Sequence, residues 1–170
     1  MSFFRRKKEQ AVPKKETETV WIKAPLTGQA VGLAEVPDPA FAEKMMGEGI
    51  AIIPEQGKVT APFDGKIVNL MKSKHAVIIE HASGVQALIH VGVDTVSLKG
   101  EGFTAHVQEG DSVTAGQLLL EFDSALIRGR ELPDITSIII PHGLDAVGEI
   151  TEYPGQVTAG QENVLAVKVN

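Results

Sequence analysis

Two short phrases, each used twice, constrain this chain more than any other feature. Ala24-Pro25-Leu26-Thr27-Gly28-Gln29-Ala30-Val31-Gly32-Leu33 returns as Ala61-Pro62-Phe63-Asp64-Gly65-Lys66-Ile67-Val68-Asn69-Leu70. Val113-Thr114-Ala115-Gly116-Gln117 returns as Val157-Thr158-Ala159-Gly160-Gln161. Both copies of the second phrase lead into apolar runs, Leu118-Leu119-Leu120-Glu121-Phe122 and Val164-Leu165-Ala166-Val167. The two phrases recur at different offsets, which points to a duplicated β motif with interleaved halves. Frequent glycines cut the rest into short β-prone runs. The expected fold is all-β, an antiparallel β-sandwich or barrel-like body. Helical pattern is confined to one or two turns at Ala40–Met46 and Ser124–Arg130.

At 170 residues the length favours one domain with a full core. No run of 18 apolar residues is present, so no helical membrane span is expected. The N-terminus lacks the pattern of a secretory signal, and the chain has no cysteine, in agreement with a cytoplasmic protein. Charge is uneven. The first 19 residues carry six basic and three acidic side chains, a net +3, which leaves −9 of the total −6 on the remainder. An acidic body is a poor nucleic-acid binder and suits partners with basic rims. Residues 1–19 read as a flexible basic tail and 20–170 as the folded domain, starting at Val20-Trp21-Ile22. Within the tail, Phe3-Phe4 before Arg5-Arg6-Lys7-Lys8 could also make a weak contact with anionic lipid.

The segment from Lys74 to Thr95 holds two β-prone runs around a small-residue turn. A turn centred near residues 82–84 makes facing residue numbers sum to about 165, which His75 and His90 satisfy. The two imidazoles are therefore expected as opposite or diagonal neighbours, on condition that one slip in register does not turn them to different faces. Upstream, Pro37-Asp38-Pro39 holds a carboxylate on a stiff loop, where Asp38 would cap a short helix and could also face the histidines. Phe41, Met45, Met46, Met71, Ile78 and Leu88 would form an apolar collar around this polar centre, or simply fill core.

Two neighbouring histidines with carboxylates support metal binding, general acid–base catalysis, or nucleophilic attack on phosphorus. The sequence has neither a glycine-rich nucleotide loop nor a His-Glu-x-x-His helix, which favours phosphoryl transfer from another phosphoprotein. The run Leu88-Ile89-His90-Val91-Gly92-Val93-Asp94-Thr95-Val96-Ser97-Leu98-Lys99-Gly100-Glu101-Gly102-Phe103 resembles the active-site signature of the glucose-specific enzyme IIA family. That family is the phosphocarrier of the bacterial phosphoenolpyruvate-dependent sugar phosphotransferase system. Ala24-Pro25, Val36-Pro37-Asp38, Phe41-Ala42-Glu43-Lys44, Gly49-Ile50-Ala51-Ile52, Ala61-Pro62 and His75-Ala76 also match in order, and the resemblance spans about residues 20 to 169.

The resemblance implies an antiparallel β-sandwich of the duplicated hybrid type. It implies that His90 is the phosphoacceptor, modified on Nε2, and that His75 hydrogen-bonds the incoming phosphoryl group. Asp38 and Asp94 match acidic residues at the rim. Ser73 stands where threonine is commoner, and Leu88 where phenylalanine is frequent. The implied donor is the phosphohistidine of the small carrier HPr, and the acceptor a cysteine on the EIIB domain of the sugar permease. The resemblance also implies regulatory target proteins, a monomer and no cofactor. No metal is required, although His75 and His90 could take up zinc incidentally. The unextended N-terminus and the length suggest a stand-alone protein rather than a permease domain.

Two rivals fit less well. A biotinyl or lipoyl carrier could use Lys72 in Leu70-Met71-Lys72-Ser73-Lys74, but Lys72 is not followed by methionine and the histidines are left idle. A lysostaphin-like zinc hydrolase needs a His-x-His pair, which is absent. His81, His106 and His142 read as solvated or turn histidines, and Arg128 and Arg130 as surface residues or a rim contact. Which sugar is imported is not written in this chain.

Overall fold

Short runs with alternating buried and exposed positions build strands over residues 18–170, the part of the chain that the computed structural model describes. The tail 1–17, with Phe3-Phe4 and the basic cluster, lies outside the described residues. In chain order the strands are β1 Thr19–Lys23, β2 Gly28–Val31, β3 Gly47–Pro54, β4 Lys58–Thr60, β5 Gly65–Leu70, β6 Ala76–Glu80 and β7 Gln86–His90. They continue as β8 Phe103–Ala105, β9 Ser112–Val113, β10 Leu118–Phe122, β11 Thr136–Pro141, β12 Val147–Glu152, β13 Gly155–Val157 and β14 Asn163–Val169. Of two short α-helices, Ser124–Gly129 falls within the expected segment Ser124–Arg130, whereas Pro39–Ala42 only overlaps Ala40–Met46, starting one residue earlier and ending before Glu43. No helix among the described residues is long and apolar enough to cross a membrane.

All strand pairings are antiparallel. One sheet has the order β13-β2-β3-β11-β7-β6-β5-β9, and two three-stranded sheets run β1-β14-β12 and β4-β10-β8. This order is palindromic about the β11–β7 pair. One half consists of β1–β3 with β11–β14. The other is the contiguous run β4–β10, inserted between β3 and β11. The duplication legible in the sequence is therefore a pseudo-two-fold of the fold.

Hydrogen bonds repeat across this pseudo-axis. Gly160 N donates to Ala24 O at 2.9 Å, and Gly116 N to Ala61 O at 2.8 Å. Ala159 N donates to Thr27 Oγ1 at 3.0 Å, and Ala115 N to Asp64 Oδ1 at 2.8 Å. The halves also exchange bonds reciprocally, Lys23 N to Pro62 O and Thr60 N to Pro25 O. The twice-used phrases thus encode the turns where backbone groups leaving the ladders find partners.

Period-two alternation sorts the strands between two apolar clusters. Ile50, Ile52, Val77, Ile79, Ala87, Ile89, Ile138 and Ile140 point into the main core. Ala51, Ala76, Leu88 and Ile139 point to the other face, where Leu33, Val36 and Phe41 from the 31–46 segment cover them with Val93 and Ile135. Burial on both faces explains the unbroken Ile138-Ile139-Ile140 run. The smaller cluster is the floor of the site described next.

Candidate active site

His90 closes β7 on the same face as Leu88, at the rim of the smaller cluster. Its ring lies 5.0 Å from the Phe41 ring and 4.9 Å from that of His75, with the two imidazoles nearly perpendicular at 82°. The register bringing them together is not the one expected from residue numbers. Ala76, not His75, faces His90, and Val77 faces Ile89. In a regular strand this one-residue difference would send His75 to the opposite face. It does not, because His75 lies just before β6, where the chain turns. Lys74 N donates to Met71 O, Met71 N donates to Ala76 O, and Lys74 adopts φ +61°. His75 is released from the pleat and stays tied to the neighbouring strand through its carbonyl, which accepts from Val91 N at 2.8 Å.

The hydrogen bonds define the ring nitrogens. His90 Nδ1 is 3.0 Å from Gly92 O. A carbonyl only accepts, so Nδ1 carries the hydrogen and Nε2 keeps its lone pair. Gly92 has φ +73°, and a Cβ there would lie 2.5 Å from Thr95 Cγ2 and 2.7 Å from Pro133 O. Only glycine fits this turn. Below it, the buried Thr95 hydroxyl donates to Val91 O. His75 Nδ1 is 2.6 Å from Ser73 Oγ.

Both imidazoles are held neutral. Burial, and then repulsion from His90, takes His75 down to about 4, and only 5% of the residue is exposed. Burial also lowers His90, opposed by the Gly92 carbonyl, the Asp38 charge, its own backbone and the Asp94 charge. Asp38 caps the helix Pro39–Ala42, its Oδ1 accepting from Ala40 N at 2.9 Å, and it also acts electrostatically on His90. Asp94 stands at φ +60° at the start of the 3₁₀ turn Thr95–Leu98.

The six apolar residues expected as a collar divide in two. Phe41 and Leu88 are buried and Ile78 half-buried in the smaller cluster, whereas Met45 (66%), Met46 (39%) and Met71 (41%) are exposed. Val96 is 56% exposed on the turn after Asp94, and sequence reasoning does not single it out. Thr95 was also missed. Its only sequence signal is a β-branched hydroxyl next to an acidic residue in a glycine-rich turn.

The remaining histidines lie apart from this pair. His81 Nδ1 meets Ser83, His106 Nε2 meets Glu121 at 2.9 Å, and His142 Nε2 meets Lys44 O at 2.8 Å. Arg130 pairs with Glu101 at 2.8 Å and Arg128 with Asp134 at 3.6 Å. Among the described residues no group of three or more His, Cys, Asp or Glu side chains is placed to hold a metal ion. Two neutral imidazoles, one with a free Nε2 lone pair, are equipped for nucleophilic chemistry at an electrophile such as phosphorus.

Comparison with known proteins gives this site its context. Residues 20–145 match the model of the family described as phosphoenolpyruvate-dependent sugar phosphotransferase system, EIIA 1. The chain belongs to that family, whose members are phosphate-carrying components of sugar uptake. It is 45% identical over 157 residues to the PTS system glucose-specific EIIA component of Oceanobacillus iheyensis, covering 92% of this chain and 94% of the relative. Among solved structures, glucose permease IIA from Mycoplasma capricolum superposes with a TM-score of 0.79 at 36% identity, covering 88% of this chain and 96% of the other.

Proposed function

We propose that His90 Nε2 accepts a phosphoryl group from the phosphohistidine of HPr and passes it to a cysteine of a permease EIIB domain. The observation that carries this reading is the His90 Nδ1–H bond to Gly92 O, which leaves the Nε2 lone pair free beside the His75 ring. In the first step that lone pair forms the new N–P bond while the donor's N–P bond breaks and its imidazole takes back the electron pair. In the second, a thiolate forms the S–P bond and His90 leaves as neutral imidazole. Neither step requires a proton to leave Nε2, and donor and acceptor arrive aligned by docking.

His75 donates its Nε2–H to a phosphoryl oxygen, with the Ser73 hydroxyl donating to Nδ1 and so selecting that tautomer. Asp38 and Asp94 orient the site and oppose the burial that lowers His90. The apolar rim of Met45, Met46 and Met71 around Phe41, Ile78 and Leu88 receives the small hydrophobic centres of HPr and EIIB, whose basic rims meet the acidic body. Further parts of this reading are a monomer in the cytoplasm and regulatory partners that sense the phosphate charge. Weak lipid contact by the basic tail and incidental zinc at the two histidines complete it.

Intact mass after incubation with phosphoenolpyruvate, enzyme I and HPr tests this. Wild type and His75→Ala should gain one phosphate, about 80 Da, and His90→Ala none. His75→Ala should then fail in passing phosphate onward. No gain in wild type refutes the assignment.

A further inference from the structure

We propose that His142 is a positioning residue for partner docking, clamping the segment that presents Met45 and Met46 beside the reactive histidines. This rests on the phosphocarrier reading above. The helix Pro39–Ala42 is fixed at its start by the Asp38 cap, and Phe41 anchors it on the His90 ring. Its other end needs separate support. Lys44 has φ +57°, which ends the helix and swings the backbone of residues 44–46 away from it. The helix carbonyls of Pro39, Ala40 and Phe41 are met by the N–H groups of Glu43, Met45 and Lys44, whereas the carbonyls of Lys44 and Met46 lie beyond the helix.

His142 supplies a donor to each of those two carbonyls beyond the helix. Its backbone N–H reaches Met46 O at 3.1 Å, and its ring Nε2 reaches Lys44 O at 2.8 Å. Because Lys44 O only accepts, Nε2 carries a hydrogen. His142 directly follows β11, whose last pair is Pro141 with Gly47, so the clamp is registered by the sheet that also carries His90. The residues on either side of Met45 are thus tied down, and Met45 N itself donates to Ala40 O at 3.1 Å. The Lys44–Glu48 pair nearby is exposed and 3.9 Å apart, so it contributes little.

The methionine side chains are free and flexible, while the backbone that launches them is held. Holding the launch point reduces the ordering required when a partner covers the patch. Asp38 and Phe41 keep the helix on His90 independently of His142. Loss of the clamp should therefore loosen residues 44–46 and weaken docking without changing the chemical step.

The test is steady-state phosphoryl transfer from phosphorylated HPr to wild type, His142→Ala and His142→Gln, with amide hydrogen exchange over residues 43–46 and the thermal midpoint of each. Losing one hydrogen bond of ordinary strength should raise KM on the order of five-fold in the alanine variant. Its kcat should stay unchanged and its thermal midpoint fall by only about 2–4 °C, the cost of one such bond, while exchange in the segment speeds up. Glutamine, whose amide donates at a similar reach, should recover most of the KM. An unchanged KM in His142→Ala, a parallel fall in kcat, or no recovery with glutamine overturns the clamp while leaving the carrier reading intact. A wild type that takes no phosphate overturns both.

Discussion

Acidification should destabilise this protein through His75. Burial and the neighbouring His90 take its pKa from 6.5 down to about 4. At pH 5 the folded chain therefore holds His75 neutral, whereas an unfolded histidine of ordinary pKa is mostly protonated. The unfolded state binds more protons, so stability falls as pH falls. The loss starts near 6.5 and is complete below about 4, where it reaches about 3 kcal/mol. Between pH 7 and pH 5 about 2 kcal/mol is lost. His90 is lowered by burial too and acts in the same direction.

The comparison protein is His75→Gln, which keeps a polar side chain beside Ser73 and does not titrate. His90 titrates in both proteins and largely cancels. Urea unfolding at the two pH values should show wild type losing about 2 kcal/mol more than the variant, an excess midpoint shift of roughly 1 M. Equal losses in the two proteins would refute the argument that the folded site holds His75 well below its ordinary pKa.

Gly92→Ala places a methyl within 2.5 Å of Thr95 Cγ2 and 2.7 Å of Pro133 O at φ +73°. We expect a loss of at least about 2 kcal/mol in urea unfolding, together with slower phosphate uptake as the Gly92 carbonyl moves off His90 Nδ1. Phe41→Ala opens a cavity between the helix Pro39–Ala42 and the His90 ring. Calorimetry should show a cost of about 3–5 kcal/mol, and the variant should need more donor protein to reach half-maximal transfer.

The duplication was readable because its turns recur with their glycines and prolines, residues chosen for backbone geometry that any second copy of the motif must also supply. The His75–His90 partnership was readable as proximity but not as register. A hairpin's arithmetic describes regular strands, and His75 stands outside one because Lys74 adopts a left-handed conformation. Lysine carries no signal for that. The collar was only half legible for a related reason. Leu88 and Met46 look alike as apolar residues near a site, but Leu88 is covered by the 31–46 segment and Met46 is not. Long-range packing decides that difference. The clamp from His142 to Lys44 spans almost a hundred residues and leaves no local pattern.

The insertion of one half within the other has a consequence for the order of assembly. Every strand from β4 to β10 pairs within its own contiguous stretch, and β7–β11 is the sole strand pairing between the halves among the described residues. On the ribosome this stretch is complete before β11 has been made. β3 has β2 on one edge but its other edge must wait for β11, and β1 must wait for β14, at the far end of the chain. Because non-local pairings are the slow ones, the inserted half is expected to form first and the flanking half to close over it. Both histidines would then be in place early. Asp38 and Phe41, carried by the flanking half, would be the last parts of the site to arrive.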